Sequence, residues 1–321
     1  TTNPMTRKEV FAFIKPCIAE MIDTVQNKRC NRIPDGVTLK EAVKEAVIDT
    51  EEAVIDTEAD MKEGEQFLSY TVEHQFPHPV AAPYRCARTA ACNTDRAAFY
   101  LATMDSLLRY VGAVLLSDFY GKHPSPEQSQ VVEQPLLYPT LEKWADLILD
   151  LAAQLADRDP FSPKLVSTIC FKNGKPTAVA TEMRQLAVTC TELLAEPDQL
   201  ISESSAGDLL GELEPKIESL LSSFQMLGRY PLVVFRSHAS ADEGDFTGFM
   251  LRWMGYDVQP LPIGVEMAGA VPAGRPMLGT EDGTRGLDWS PCVDIVAAEG
   301  DRPETLHMAN GLRTPGLLRL Q

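Results

Sequence analysis

Apolar residues return at three- and four-residue steps through most of the first 228 positions, and beyond them the spacing changes. In "TRKEVFAFIKPCIAEMIDTVQNK" the residues Val10, Phe13, Ile14, Ile18, Met21, Ile22 and Val25 form a helical stripe, with Pro16 as a kink or boundary. After the turn-like "RIPDG", the stretch "VTLKEAVKEAVIDTEEAVIDTEADMKEGEQFLSY" carries the heptapeptide EAVIDTE twice, at 45–51 and 52–58. A seven-residue repeat brings Ala, Val and Ile back to one side of a helix. An acidic amphipathic helix is therefore expected, with Val47, Ile48, Val54 and Ile55 inward and Glu51, Glu52 and Glu58 solvated. Two copies are too few for a solenoid or a coiled coil.

"HQFPHPVAAPYRCARTAACN" holds Pro77, Pro79 and Pro83 and is expected to be an extended connector. The strongest helical pattern follows. "RAAFYLATMDSLLRYVGAVLLSDFYG", capped by Asn93, Thr94 or Asp95 and ending near Gly121, points Leu101, Met104, Leu107, Leu108, Val111, Val114 and Leu115 inward. "HPSPEQSQVVEQPLLYP" is expected to be a loop. "TLEKWADLILDLAAQLADRD" predicts a helix capped by Thr140, with Trp144, Leu147, Ile148, Leu151 and Leu155 facing in. "NGK" at 173–175 is a turn, and Thr177 opens a helix that closes before Pro197. In "GDLLGELEPKIESLLSSFQMLG", Pro215 either kinks the last helix or marks its first turn.

From Tyr230 onward, "YPLVVFRSHA", "FMLRWMGYDVQPLPIGV", "RPMLGTEDGTRGLDWSPCVDIVAAE" and "ETLHMANGLRTPGLLRL" are short apolar or alternating runs separated by Gly, Pro and Asp. That pattern predicts a small antiparallel sheet or barrel. The expected class is α+β: an N-terminal helical extension over 1–75, a helical bundle over 76–228 and a small β domain over 229–321.

Composition narrows function mainly by exclusion. The 321 residues are 44% hydrophobic, enough for two domains or one large one. Apolar runs such as 110–116 fall well short of the roughly 20 residues of a membrane span, and the first residues lack a signal-peptide core, so a cytoplasmic protein is expected. Seven cysteines without a CxxC pair fit reduced thiols. Forty-six acidic against 29 basic residues give a net charge of −17, which repels a polyanion at long range and argues against nucleic-acid binding. His74 and His78 are four apart, but the prolines beside His78 argue against a helical metal pair, and no third ligand accompanies them. His238 in "RSHAS", near "DEGD", admits a Ser/His/Asp drawing, though a strand-end histidine is the simpler account. Phosphate-binding glycine loops are absent, and no cofactor or metal is expected.

The succession "PVAAPYRCARTA", "DSLLRYVGAVLLSDFY", "LEKWADLILDLA", "NGKPTAVATEMRQLAVT", "LEPKIESLL", "YPLVV" and "GLDWSPCVDIV", over roughly 76–321, resembles a bacterial HEPN-like helical domain followed by a small β domain, as in multidomain signalling and defence proteins. The resemblance implies a site on the helix holding "EMRQLAVT". In active HEPN ribonucleases an Arg holds the scissile phosphate, and a His five positions later moves a proton during attack by the 2'-hydroxyl. Here Arg184 matches the first position, Gln185 replaces the usual polar neighbour and Thr189 stands where His belongs. A threonine hydroxyl is no base near neutral pH without an activating partner, so the motif is degenerate. Arg184 is then either a solvated helix arginine or a retained phosphate contact, and Thr189 a packing residue. The resemblance also implies self-association. The expectation is a noncatalytic interaction or regulatory protein acting through protein contacts. The alternatives are a metal-independent endoribonuclease using Arg184, and a small-ligand sensor with a pocket lined by Trp253, Trp289 and Tyr256.

Overall fold

The computed structural model describes residues 67–137, 139–171, 173–196 and 202–235, and in the β region 239–240, 245–256, 263–268, 276–279, 286–289, 293–296, 305–314 and 317–320. The chain divides into two compact units, Thr1–Lys62 and Glu63–Gln321, and every described residue belongs to the second. The EAVIDTE repeat, the stripe from Val10 to Val25 and the segment 236–238 with His238 lie outside the described residues.

The fold is α+β and mainly helical. The described chain opens in a helical segment over 67–75. Then come α1 (His78–Thr89), α2 (Asn93–Gly121), α3 (Pro126–Leu136), α4 (Leu141–Leu155), α5 (Pro163–Ile169), α6 (Ala178–Ala195) and α7 (Glu203–Ser223). A 3-10 turn at Gln225–Arg229 leads into the strands.

Two segments expected to lack helix are helical. In α1, Pro79 falls in the first turn, where a missing N–H costs nothing, and the buried face of Val80, Ala81, Tyr84 and Ala87 carries the helix through Pro83. The proline-rich connector is thus a packed helix, and His74 and His78 stand on successive helical elements. The expected loop after His123 contains α3. Its start is a capping box: Ser125 Oγ accepts from Gln128 N at 3.3 Å, and Gln128 Oε1 accepts from Ser125 N at 3.0 Å. Replacing Ser125 by Ala should cost about 1 kcal/mol, read from a thermal melt; an unchanged melt would mean that α3 adds nothing to global stability.

The other helices start close to where their polar caps predict. Thr140 and Thr177 accept from Lys143 N and Ala180 N, each at 3.2 Å. In α2 the cap is Cys92, one residue before Asn93, with its Sγ accepting from Asp95 N. Pro215 lies inside α7, whose cap is Ser202, so it is not the first turn. Leu101, Met104, Leu107, Leu108, Val111, Val114 and Leu115 are all buried on α2. By length and composition this helix could cross a membrane, yet 72% of its most apolar window is buried inside the protein. It is the central core helix, flanked by α1, α4 and α7.

The described strand pairings are antiparallel throughout. Within one sheet β3 (Asp245–Arg252) pairs with β1 (Leu232–Phe235), β2 (Ala239–Ser240) and β4 (Ile263–Ala268), while β5 (Pro276–Gly279) joins β1 to β6 (Gly286–Asp288). A second sheet runs β7 (Val293–Val296), β8 (Thr305–Thr314), β9 (Leu317–Leu320). The change of periodicity expected near Gly228 coincides with the end of the helical layer, but the apolar core runs across it. Leu232, Trp253, Leu278 and Trp289 belong to the same buried cluster as the helices.

Main-chain bonds join the layers as well. His78 N donates to Trp253 O at 3.0 Å, Gly255 N to Phe76 O at 2.7 Å and Tyr256 N to Glu73 O at 2.8 Å. Gly255 has φ +78, and a Cβ there would lie 3.2 Å from the carbonyl oxygens of both Glu73 and His74. Gly255→Ala should therefore cost on the order of 1–3 kcal/mol, with Trp253 becoming more solvated in fluorescence. A urea midpoint equal to the parent's would show that the two backbones do not need this approach.

Candidate functional site

Helix α6 turns Ala180, Met183, Leu186, Ala187, Cys190 and Leu193 into the core. Helical spacing then puts Arg184, Gln185 and Thr189 on the opposite side, where all three are exposed. Arg184 reaches across to α4: its Nε donates to Asp146 Oδ1 at 2.6 Å, and its Nη2 lies 3.6 Å from Glu142 Oε1. Glu142, Asp146 and Asp150 are spaced by four and share one face of α4. Burial, and then the charge of Asp146, hold the Asp150 carboxyl above the usual carboxylate range. Thr189 Oγ1 donates to Gln185 O at 3.3 Å, back into its own helix.

The motif positions are therefore all exposed, but Arg184 and Thr189 stand about 140° apart around the helix, and their chemistry is already committed. The guanidinium faces two carboxylates that neutralise it, and a phosphate would have to displace Asp146 while sitting beside Glu142. The Thr189 proton is spent within its helix.

A denser polar cluster escaped the sequence. Tyr84 on α1 and Tyr100 on α2 are fully buried and turn their hydroxyls to α7, where Glu214 and Glu218 are four apart. Tyr84 Oη donates to Glu218 Oε1 at 3.0 Å and lies 3.1 Å from Ser69 Oγ. Tyr100 Oη donates to Glu214 Oε1 at 2.8 Å and also approaches Glu218 Oε1 at 3.2 Å. Arg96 pairs with Glu214, and Arg88 lies 3.5 and 3.6 Å from Glu214 and Glu218. Two guanidiniums thus answer two carboxylates, and the phenols donate into the same oxygens. Burial is the main force raising both tyrosines well above their ordinary value. The cluster fixes α7 against α1 and α2; a phenol held this firmly protonated is a poor general base. Glu214 and Glu218 lie more than a hundred residues from the groups they bind, so no local motif announces the cluster.

The aromatic residues considered as a pocket do not form one set. Trp289 is buried with its ring 4.7 Å from Tyr110 of α2, edge to face. Trp253 is buried 6.1 Å from the His78 ring. Tyr256 instead reaches the surface, where its ring lies 5.5 Å from His74, which in turn lies 4.5 Å from Tyr70. Arg85 sits over Tyr256 at 5.1 Å from its centroid and pairs with buried Glu73 at 2.6 Å. Tyr70 is 58% exposed and Phe67, one turn earlier, 42%. Main-chain bonds between 73–78 and 253–256 join the two backbones that carry His74 and Tyr256. His78 adds to them, its Nδ1 lying 2.9 Å from Gly255 O.

Among the described residues no group of three or more His, Cys, Asp and Glu side chains is arranged to hold a metal. Cys86 is exposed on α1, and Cys190 is buried with its thiol pushed up to about 12 by that burial. Comparisons with protein families, with curated proteins and with solved structures found no match to this chain.

Proposed function

We propose that this chain is a noncatalytic interaction or regulatory protein, a HEPN-like helical bundle with a degenerate motif that acts through protein contacts in the cytoplasm, in a bacterial signalling or defence setting. The observation that carries the proposal is the exposed aromatic surface of Tyr70, His74 and Tyr256, whose rings touch in series and whose backbones at His74 and Tyr256 are joined by main-chain bonds. Exposed tyrosines on a backbone already fixed lose little entropy on binding, which is why such residues anchor protein interfaces. The ribonuclease alternative is weakened by Arg184, whose exposed guanidinium is already paired with Asp146 and lies close to Glu142.

Two measurements test the proposal. A photo-crosslinking benzophenone side chain placed at Tyr70 should yield a discrete adduct with a second polypeptide in cells, while the same group at Thr189 should not. Purified protein should leave labelled single-stranded RNA intact, and Arg184→Ala should change neither that result nor the melting temperature. RNA cleavage that disappears in Arg184→Ala would overturn the proposal in favour of the nuclease.

A further inference from the structure

We draw no further inference here: the strongest candidate, the aromatic surface of Tyr70, His74 and Tyr256 beside the Arg85 and Glu73 ion pair, carries nothing beyond the proposal above, because its neighbouring charges cancel and nothing in the structure shows what covers it.

Discussion

Raising the pH above about 10 is expected to unfold the helical layer steeply, with ionisation of the buried tyrosines and loss of helix occurring together. Tyr84, Tyr100 and Tyr110 are fully buried, and burial raises all three above their ordinary value. For Tyr100 the next cause is its hydrogen bond to Glu214, since a phenolate there would face a carboxylate. In the unfolded chain each would ionise near its ordinary value of about 10. The folded state therefore keeps protons that the unfolded state has lost, so the stabilisation is complete below about pH 10 and falls as the pH rises toward the folded values. Each tyrosine removes up to about 1.4 kcal/mol per pH unit, and three remove about 4. Against a typical domain stability of about 5–15 kcal/mol, one to a few pH units suffice. Far-UV circular dichroism should be lost in step with the part of the tyrosinate absorbance that Tyr100→Phe removes, and Tyr100→Phe should make the alkaline decline shallower. If the Tyr100-dependent part of the absorbance rises while the dichroism holds, Tyr100 does not resist ionisation and the account of the cluster fails.

The helices that could be placed from sequence are those whose caps and apolar stripes agree. Thr140 and Thr177 cap as expected, and the α2 stripe is buried position by position. The connector expected at α1 came from the weight given to proline, and the loop expected at α3 passed over a capping box. Pro79 and Pro126 stand at helix starts, where proline is favoured, and Ser125 with Gln128 forms a capping box that was present in the sequence as S-x-x-Q. Pro83 and Pro215 are tolerated because the buried faces around them outweigh the lost hydrogen bond.

The candidate site was legible only as a row of positions along one helix. Spacing alone places Arg184 and Thr189 about 140° apart around the exposed side of one helix, but the partners that decide the chemistry of Arg184, Glu142 and Asp146, come from α4. The same limit hid the Tyr84, Tyr100, Glu214 and Glu218 cluster and the approach of Tyr256 to His74. Each depends on contacts between distant segments, and hydrophobic periodicity reports which face is buried rather than what it meets.

The crossing of α2 and α4 offers the sharpest test of the packing. A Cβ on Gly112 would lie 2.7 Å from both Cε3 and Cζ3 of Trp144, whose indole is buried at 2% exposure and has no free side to move toward. In a helix interior Gly→Ala ordinarily gains about 0.5–1 kcal/mol. Here overpacking at about 1–3 kcal/mol opposes that gain and exceeds it. Gly112→Ala should therefore lower stability by about 1–2 kcal/mol and Gly112→Leu by more. The control is Gly211 on α7, where an added Cβ meets nothing within 4 Å, so Gly211→Ala should stabilise by about 0.5–1 kcal/mol. Trp144→Leu, itself costing a few kcal/mol, removes the benzo-ring atoms in question. In that background Gly112→Ala should become neutral or stabilising, a coupling of about 1–3 kcal/mol in a double-mutant cycle read from urea midpoints. If Gly112→Ala and Gly211→Ala stabilise the parent alike, α2 and α4 do not approach this closely, and the central crossing of the fold has been misplaced.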